Sequence, residues 1–385
     1  YSQEDSTSAD YLFNLSLEDL MGVEVITAGK TLEKIIQVPA SVVVISKTEI
    51  EKYGFSTIEE VLEQITGLFM TSDYYWLGTA NFGVRGFYSS GPFNNIFILV
   101  NGVSQMEEYT RGTPLSKLGI PVETIDKIEI IRGPMSVIYG SGAFFGAINI
   151  ITENNENNEF NVRYGTHNSI NTHAVVTKKT DDFFAKFIAG FNTSDGAAIA
   201  YTDLTTNPVK PNGKTFLQNN GLADDATTKN QLSFNNKFAS LMLNFGSFKF
   251  ASSINSTKSG MMDGQPVLGE GSYFISGSSV VSAEYAKELS PKLNFIWKEN
   301  YNRYNYYNRY EQDYENGNMN SNQISSYLES EVNLNYHPTE KTNLLFGIYH
   351  RYVPEYLWGG DYSYWGTNFV NFLTEIENPF SVQSI

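Results

Sequence analysis

The chain has 385 residues, no cysteine and a net charge of −16. Disulfide scaffolds and thiolate metal sites are thereby excluded, and nucleic acid is not expected as a partner because phosphate binding needs clustered Lys and Arg. The balance of 41% hydrophobic and 18% charged residues, with 25 Tyr and 26 Phe against 12 Pro, suits a folded, β-rich chain.

Up to about Thr152 the sequence alternates between helical and strand patterns. Ser41-Val42-Val43-Val44-Ile45 is a β-branched run and reads as a buried strand. Ser56 and Glu59 have capping-box spacing before Thr57 to Ile65, in which Ile58, Val61, Leu62 and Ile65 share one face and Gly67 supplies the stop. Ile96 to Val100 reads as a strand running into an Asn101-Gly102 turn. Ile128 to Ile131 and Ala147 to Ile151 read as two more strands, completing a small α/β domain. The glycines of Gly140-Ser141-Gly142-Ala143-Phe144-Phe145-Gly146 have the wrong last gap for a dinucleotide loop, and no long helix follows.

Beyond Glu153 period-2 alternation takes over. Phe183, Ala185, Phe187, Ala189 and Phe191 share one face, as do Ile324, Leu328, Val332, Leu334 and Tyr336 further on. About nine strands are predicted, near 158–165, 169–178, 183–192, 230–238, 241–254, 279–287, 292–305, 323–336 and 342–353. After the first link, tight connections (179–182, 239–240, 288–291, 337–341) alternate with long polar ones. An up-and-down sheet then gathers the long loops at one end, as in outer-membrane barrels. No apolar run reaches the roughly 18 residues of a membrane-spanning helix, so passage through a bilayer would have to be by barrel.

Six segments in order resemble the plug of TonB-dependent outer-membrane receptors. They are Pro39 to Ile45, Gly83-Val84-Arg85-Gly86-Phe87, Leu99-Val100-Asn101-Gly102-Val103, Ile128 to Pro134, Tyr139 to Ala143, and Gly146 to Thr152. The resemblance implies an N-terminal α/β plug domain followed by antiparallel transmembrane β-barrel strands. It divides the chain into an N-terminal extension (1–30), a plug (31–152) and the first part of a barrel (153–385). Barrels of this family close with about 22 strands, and the stretch after Thr152 has room for about nine. The chain therefore reads as the N-terminal part of a longer receptor, sited in the bacterial outer membrane with its N-terminus in the periplasm.

Site expectations follow from the same resemblance. Glu24-Val25-Ile26-Thr27-Ala28 resembles the segment that couples to a TonB-type periplasmic energy-coupling protein. Arg85 and Arg132 match the plug arginines that pair with barrel glutamates and lock the plug. Tyr74, Tyr75, Trp76, Tyr88, Phe93 and Tyr109 fall in outward plug loops and are the ligand-binding candidates, since exposed rings can stack on flat ligands. A second aromatic group, with Tyr301, Tyr304, Tyr306, Tyr307 and Trp358, reads chiefly as the girdle at the lipid interface. His167, His173, His337 and His350 lack metal-site spacing, no nucleophile has a matched base, and no cofactor, metal or catalytic residue is expected. The implied function is import of a large scarce nutrient, with a ferric siderophore first. Cobalamin, haem and glycans stay open, and the alternative is a non-transporting surface receptor in a secretion or adhesion assembly.

Overall fold

The β-branched run Ser41–Ser46 forms an edge strand (β3) of a five-stranded sheet, its side chains packed on one face against two short helices. In this computed structural model the described residues are 24–25, 33–34, 41–73, 79–88, 95–108, 111–113, 115, 118–140, 142–152, 158–204, 206–219, 221–229, 231–260, 272–312, 317–339, 342–362, 370–375 and 381–384. Ahead of β3 lies a hairpin of β1 (Glu24–Val25) and β2 (Glu33–Lys34), with Glu24 opposite Lys34.

Helix α1 (Lys47–Tyr53) opens on a full capping box, with Ser46 accepting from the Glu49 amide and Glu49 returning to the Ser46 amide. Helix α2 (Ile58–Glu63) opens one residue later than Ser56/Glu59 spacing suggested. Thr57 accepts from the Glu60 amide at 3.2 Å, and Glu60 takes the Ser56 amide at 2.7 Å. The frame moves because Val61 and Leu62, both fully buried, fix which face of the helix meets the sheet.

A small three-stranded sheet follows, made of β4 (Leu68–Asp73), β5 (Thr79–Val84) and β6 (Phe87–Tyr88). The main sheet continues with β7 (Ile96–Val100), β8 (Val103–Ser104), β9 (Lys127–Arg132) and, after helix α3 (Ser136–Tyr139), β10 (Gly146–Ile151). Its order is β3-β9-β10-β7-β8, with β10 parallel to β7 and the other pairs antiparallel. The turn between β7 and β8 is the expected Asn101-Gly102 one, both residues at positive φ (49° and 77°). The core includes Ile125, Ile128, Ile148 and Ile150, none of them solvent-exposed.

From Glu159 the chain is one antiparallel meander. Its strands are β11 (Glu159–Gly165), β12 (Ser169–Lys179), β13 (Phe183–Ser194), β14 (Phe234–Phe245), β15 (Phe248–Gly260), β16 (Tyr273–Ser290), β17 (Leu293–Gln312), β18 (Gly317–Thr339) and β19 (Thr342–Tyr362). They lengthen along the chain, from 7, 11 and 12 residues in the first three to 20, 23 and 21 in the last three. The nine predicted strands are present. The turn expected at 239–240 lies instead at 246–247, because Ala239 and Ser240 are mid-strand and paired on both sides. Beyond the nine, β20 (Val370–Glu375) and β21 (Ser381–Ser384) both pair with β19, where a loop was expected.

The two faces of this meander differ in kind. Phe187, Phe245, Ile254, Phe346 and Ile348 stand on the outer face, 44–74% exposed. The opposite phase carries Ser276, Asn302, Asn308, Ser321, Asn333 and Asn335, all buried and polar. A soluble sandwich buries its apolar face. Here the apolar face is bare and the polar one is covered, as in a barrel wall standing in lipid. Tyr304 and Tyr306, assigned to the lipid girdle from the sequence, belong to the inner phase and are 9% and 3% exposed.

The candidate plug–wall seam

The N-terminal α/β domain lies on the polar face of the meander, and three groups of polar contacts among the described residues hold it there. The most elaborate centres on Arg351, an inward residue of β19 that is 4% exposed. Its Nη2 lies 2.5 Å from Glu108 Oε2, and its Nη1 is 3.6 Å from Glu329 Oε1 on β18. The guanidinium sits 4.0 Å from the Tyr327 ring centroid, and the Tyr349 hydroxyl donates to Glu329 at 2.6 Å. Arg111 reaches the other oxygen of Glu108 at 2.8 Å. One turn of chain earlier, Ser104 accepts at its carbonyl from Asn302 and at its hydroxyl from Tyr327, both at 3.4 Å. A guanidinium keeps its charge when buried, so its desolvation has to be offset by partners of this kind.

The second contact stands where the domain passes into the wall. Lys186, on β13 and 1% exposed, donates to the Thr152 carbonyl and lies 3.7 Å from Asp126 Oδ2. Asn101 braces the same point: its side chain accepts from the Thr152 amide at 2.8 Å and donates to the Thr152 hydroxyl at 3.0 Å. Lys186→Met leaves the Asp126 carboxylate without its cation at a cost of about 3 kcal/mol. We expect about hundredfold faster hydrogen exchange of the 126 and 152 amides, read by mass spectrometry on the intact receptor.

The third contact groups His173 with Glu159 at 3.0 Å, Glu123 at 3.9 Å and Arg163, which pairs with Glu123, while Lys47 stands 3.6 Å from Glu159. His173, a residue with no metal-site spacing, is thus a member of the seam.

The expected site residues fall differently. Arg132 donates to the Thr66 carbonyl at 3.0 Å and to the Ser41 hydroxyl at 2.9 Å, both inside the α/β domain. Arg85 is exposed at φ 50°, its amide on the Gly67 carbonyl, and no carboxylate is paired with it among the described residues. Glu24 and Val25 are in β1, whereas Ile26, Thr27 and Ala28 lie outside the described residues. Tyr88 closes β6 opposite Gly83, with its side chain outside the described set. Tyr74, Tyr75, Trp76, Phe93 and Tyr109 also lie outside it. Sequence reasoning missed Arg351. The one signal for it was a cation in phase with the polar face of a strand that shows Leu344, Phe346 and Ile348 to the other side.

Comparison with known proteins agrees with this arrangement. Residues 34–147 match the family described as the TonB-dependent receptor plug domain. The vitamin B12 transporter BtuB of Vibrio vulnificus is 34% identical over 138 residues, which are 36% of this chain and 22% of that protein. An iron-regulated outer membrane virulence protein of Vibrio cholerae is 34% identical over 137 residues, 34% of this chain and 20% of that one. Among solved structures, the ferric yersiniabactin uptake receptor FyuA of Yersinia pestis matches with a TM-score of 0.62 at 16% identity, over 84% of this chain and 50% of that one. The unliganded ferric citrate transporter FecA matches at 0.59 and 14% identity, over 95% and 52%. The structural likeness is one of fold. The chain spans about half the length of these structures, and its aligned part about a fifth of the sequence relatives.

Proposed function

We propose, from the premise that the chain belongs to the TonB-dependent outer-membrane receptors, that it serves energy-coupled import of a large scarce nutrient across the outer membrane. The observation that carries this reading is the seam. A folded domain is ion-paired to the polar face of a wall whose other face is apolar, so solute passes only once the domain has been displaced. Breaking several buried polar contacts at once needs work, and the outer membrane has no source of it. A periplasmic partner of the TonB type supplies it in this reading.

Among the described residues β1 pairs only with β2, which leaves its far edge open to a strand from that partner. Glu24, Val25, Ile26, Thr27 and Ala28 form the coupling segment, on the periplasmic side. Tyr74, Tyr75, Trp76, Tyr88, Phe93 and Tyr109 receive the ligand at the outer end, and Arg85 and Arg132 take wall glutamates from strands later in the receptor. The cargo is a ferric siderophore, with cobalamin second. One relative is named as iron-regulated and another as a B12 transporter.

The test compares wild-type receptor with Val25→Pro in iron-limited cells, measuring ferric siderophore binding and uptake separately. Proline removes an amide and blocks strand addition. Uptake should drop to background with binding unchanged. Undiminished uptake would show that residues 24–28 do not couple. Growth restored by cobalamin and not by iron would reassign the cargo.

A further inference from the structure

The outer face of the wall is apolar beside the tight turns and carries charge further up. Along β18 the outward phase runs Tyr336, Leu334, Val332, Ser330, Leu328 and Ser326. The register sets two cross-strand rows on that face. In one, Ser330 lies between Glu299 on β17 and His350 on β19; in the other, Ser326 lies between Arg303 and Glu355. Tyr301, Leu328 and Tyr352 form the row between them. A tilted strand crosses a bilayer in about 9–11 residues. Counted from Tyr336, Ser330 is six positions along and stands within the lipid band, and Ser326, at ten, marks its outer edge.

A carboxylate and an imidazole turned toward lipid are costly, because hydrocarbon returns none of the hydrogen bonds that water gives. The Ser330 hydroxyl donates to Glu299 Oε1 at 2.8 Å. Among the described residues nothing else bonds the Glu299 carboxylate, and the His350 side chain has no partner. Within one copy these two stand two strands apart, about 10 Å. The outer row is closed on itself: Arg303 Nε lies 3.2 Å from Glu355 Oε2, and Ser326 beneath the pair is only 2% exposed.

Both rows have the same plan, a small serine on β18 with an acid on one side and a base on the other. Two copies in one membrane share an orientation, so a two-fold axis relating them stands along the membrane normal and keeps each residue at its own depth. With that axis in front of β18, β17 of each copy faces β19 of the other. Glu299 then meets the second copy's His350, and the reverse contact forms beside it. An imidazole N–H donates to a carboxylate whether the ring is neutral or charged. The two Arg303–Glu355 pairs close into a ring of four alternating charges, and the serines on the axis let the backbones approach. An acyl chain brings no donor to Glu299, and a lipid phosphate is repelled by it.

We propose that the outer face of β17 to β19 is an isologous interface with a second copy of this chain, centred on Ser330 and held by reciprocal Glu299–His350 contacts and the Arg303–Glu355 ring. It rests on the wall standing in lipid and not on the import reading.

The 385 residues hold no cysteine, so an introduced thiol reports on the axis. The full-length receptor, kept free of other thiols, is oxidised with copper phenanthroline in isolated outer membranes and run on non-reducing gels. Ser330→Cys should give a disulfide-linked dimer, since only a residue on the axis meets its own copy within the roughly 4 Å that Cβ atoms need. Ser252→Cys, on β15 opposite Val281 and also facing outward, should stay monomeric. Adding His350→Glu to Ser330→Cys sets carboxylate against carboxylate on both sides of the axis and should cut the dimer about tenfold. Glu299→Lys on top of that should restore it, while heat-modifiable migration shows that each variant is folded. The proposal is overturned if Ser330→Cys stays monomeric, if Ser252→Cys dimerises equally, or if Glu299→Lys fails to restore the dimer. A dimer that imports nothing keeps this interface and loses the import reading, and a receptor that imports as a monomer does the reverse.

Discussion

Arg351→Met should loosen the plug in its seat by about 3–5 kcal/mol, the cost of removing one member of a buried ion pair. Two carboxylates, Glu108 and Glu329, face the guanidinium from opposite sides of the seam, and the substitution removes the cation that bridges them. Arg111 still reaches Glu108, but it is 41% exposed and shielded by water, so it offsets little. Glu329 keeps the Tyr349 hydroxyl. Hydrogen exchange of residues 104–108 in the intact receptor should rise by roughly two to three and a half orders of magnitude, at about 1.4 kcal/mol per decade. Cells carrying the variant should admit bulky hydrophilic dyes that wild type excludes. Adding Glu108→Gln should recover part of the loss, since it removes one of the two stranded charges, and the double-mutant cycle then gives the coupling directly. Equal exchange in wild type and variant would mean that Arg351 is solvated by some other route.

Gly146→Val should prevent the plug from folding while leaving the wall able to assemble. A Cβ at Gly146 would lie 1.9 Å from the Ile131 carbonyl oxygen, and the backbone there has φ 150°, a region side chains avoid. Gly146 also begins β10, pairing with Ile96 and with Arg132. Relief of the clash parts β10 from β9 and opens the core at Ile148 and Ile150, which puts the cost above about 4 kcal/mol. The receptor should show normal heat-modifiable migration but a protease-sensitive N-terminal domain. Ile148→Val, further along the same strand, should cost only about 0.5–1.5 kcal/mol and leave the domain resistant. A protease-resistant Gly146→Val plug would overturn the steric account.

These two residues also mark where the sequence was readable. Gly146 opens a segment that resembles the plug family, and the short turn at Asn101-Gly102 was legible because only a few residue types accept left-handed backbone. The wall strands were legible for a similar local reason, since lipid on one side and plug on the other impose period two. Long-range pairing leaves no such trace. Glu108 and Arg351 are 243 positions apart, and neither residue's neighbourhood announces the other. The two arginines chosen by resemblance showed the opposite problem: Arg132 carried a family motif, yet its described bonds stay inside its own domain. The helix α2 cap was misplaced by one residue because Ser56 and Thr57 both have a Glu at the right spacing, and only the buried face decides between them. The strand at 323–336 was drawn too short because residues 318–322, Asn-Met-Asn-Ser-Asn, lack alternation.

That missing alternation follows from strand length. At about 3.3 Å per residue, β12 spans roughly 36 Å and β18 roughly 76 Å, whereas a tilted strand crosses a bilayer in about 9–11 residues. The tight turns at 180–182, 246–247 and 291–292 share one end of the sheet with the Thr339–Thr342 pair that joins β18 to β19, so the surplus of β16 to β19 all projects from the other. There the inner phase stays covered, with Asn308 and Ser321 only 4% and 5% exposed, and the ladder is braced by bonds such as that from the Tyr307 hydroxyl to Asn320 at 3.1 Å. The wall therefore rises as a tall screen along β16 to β19, while beside the shorter strands the same end is occupied by the connection 195–233 with its two short helices. A large solute arriving at that end meets the screen before any specific contact is made.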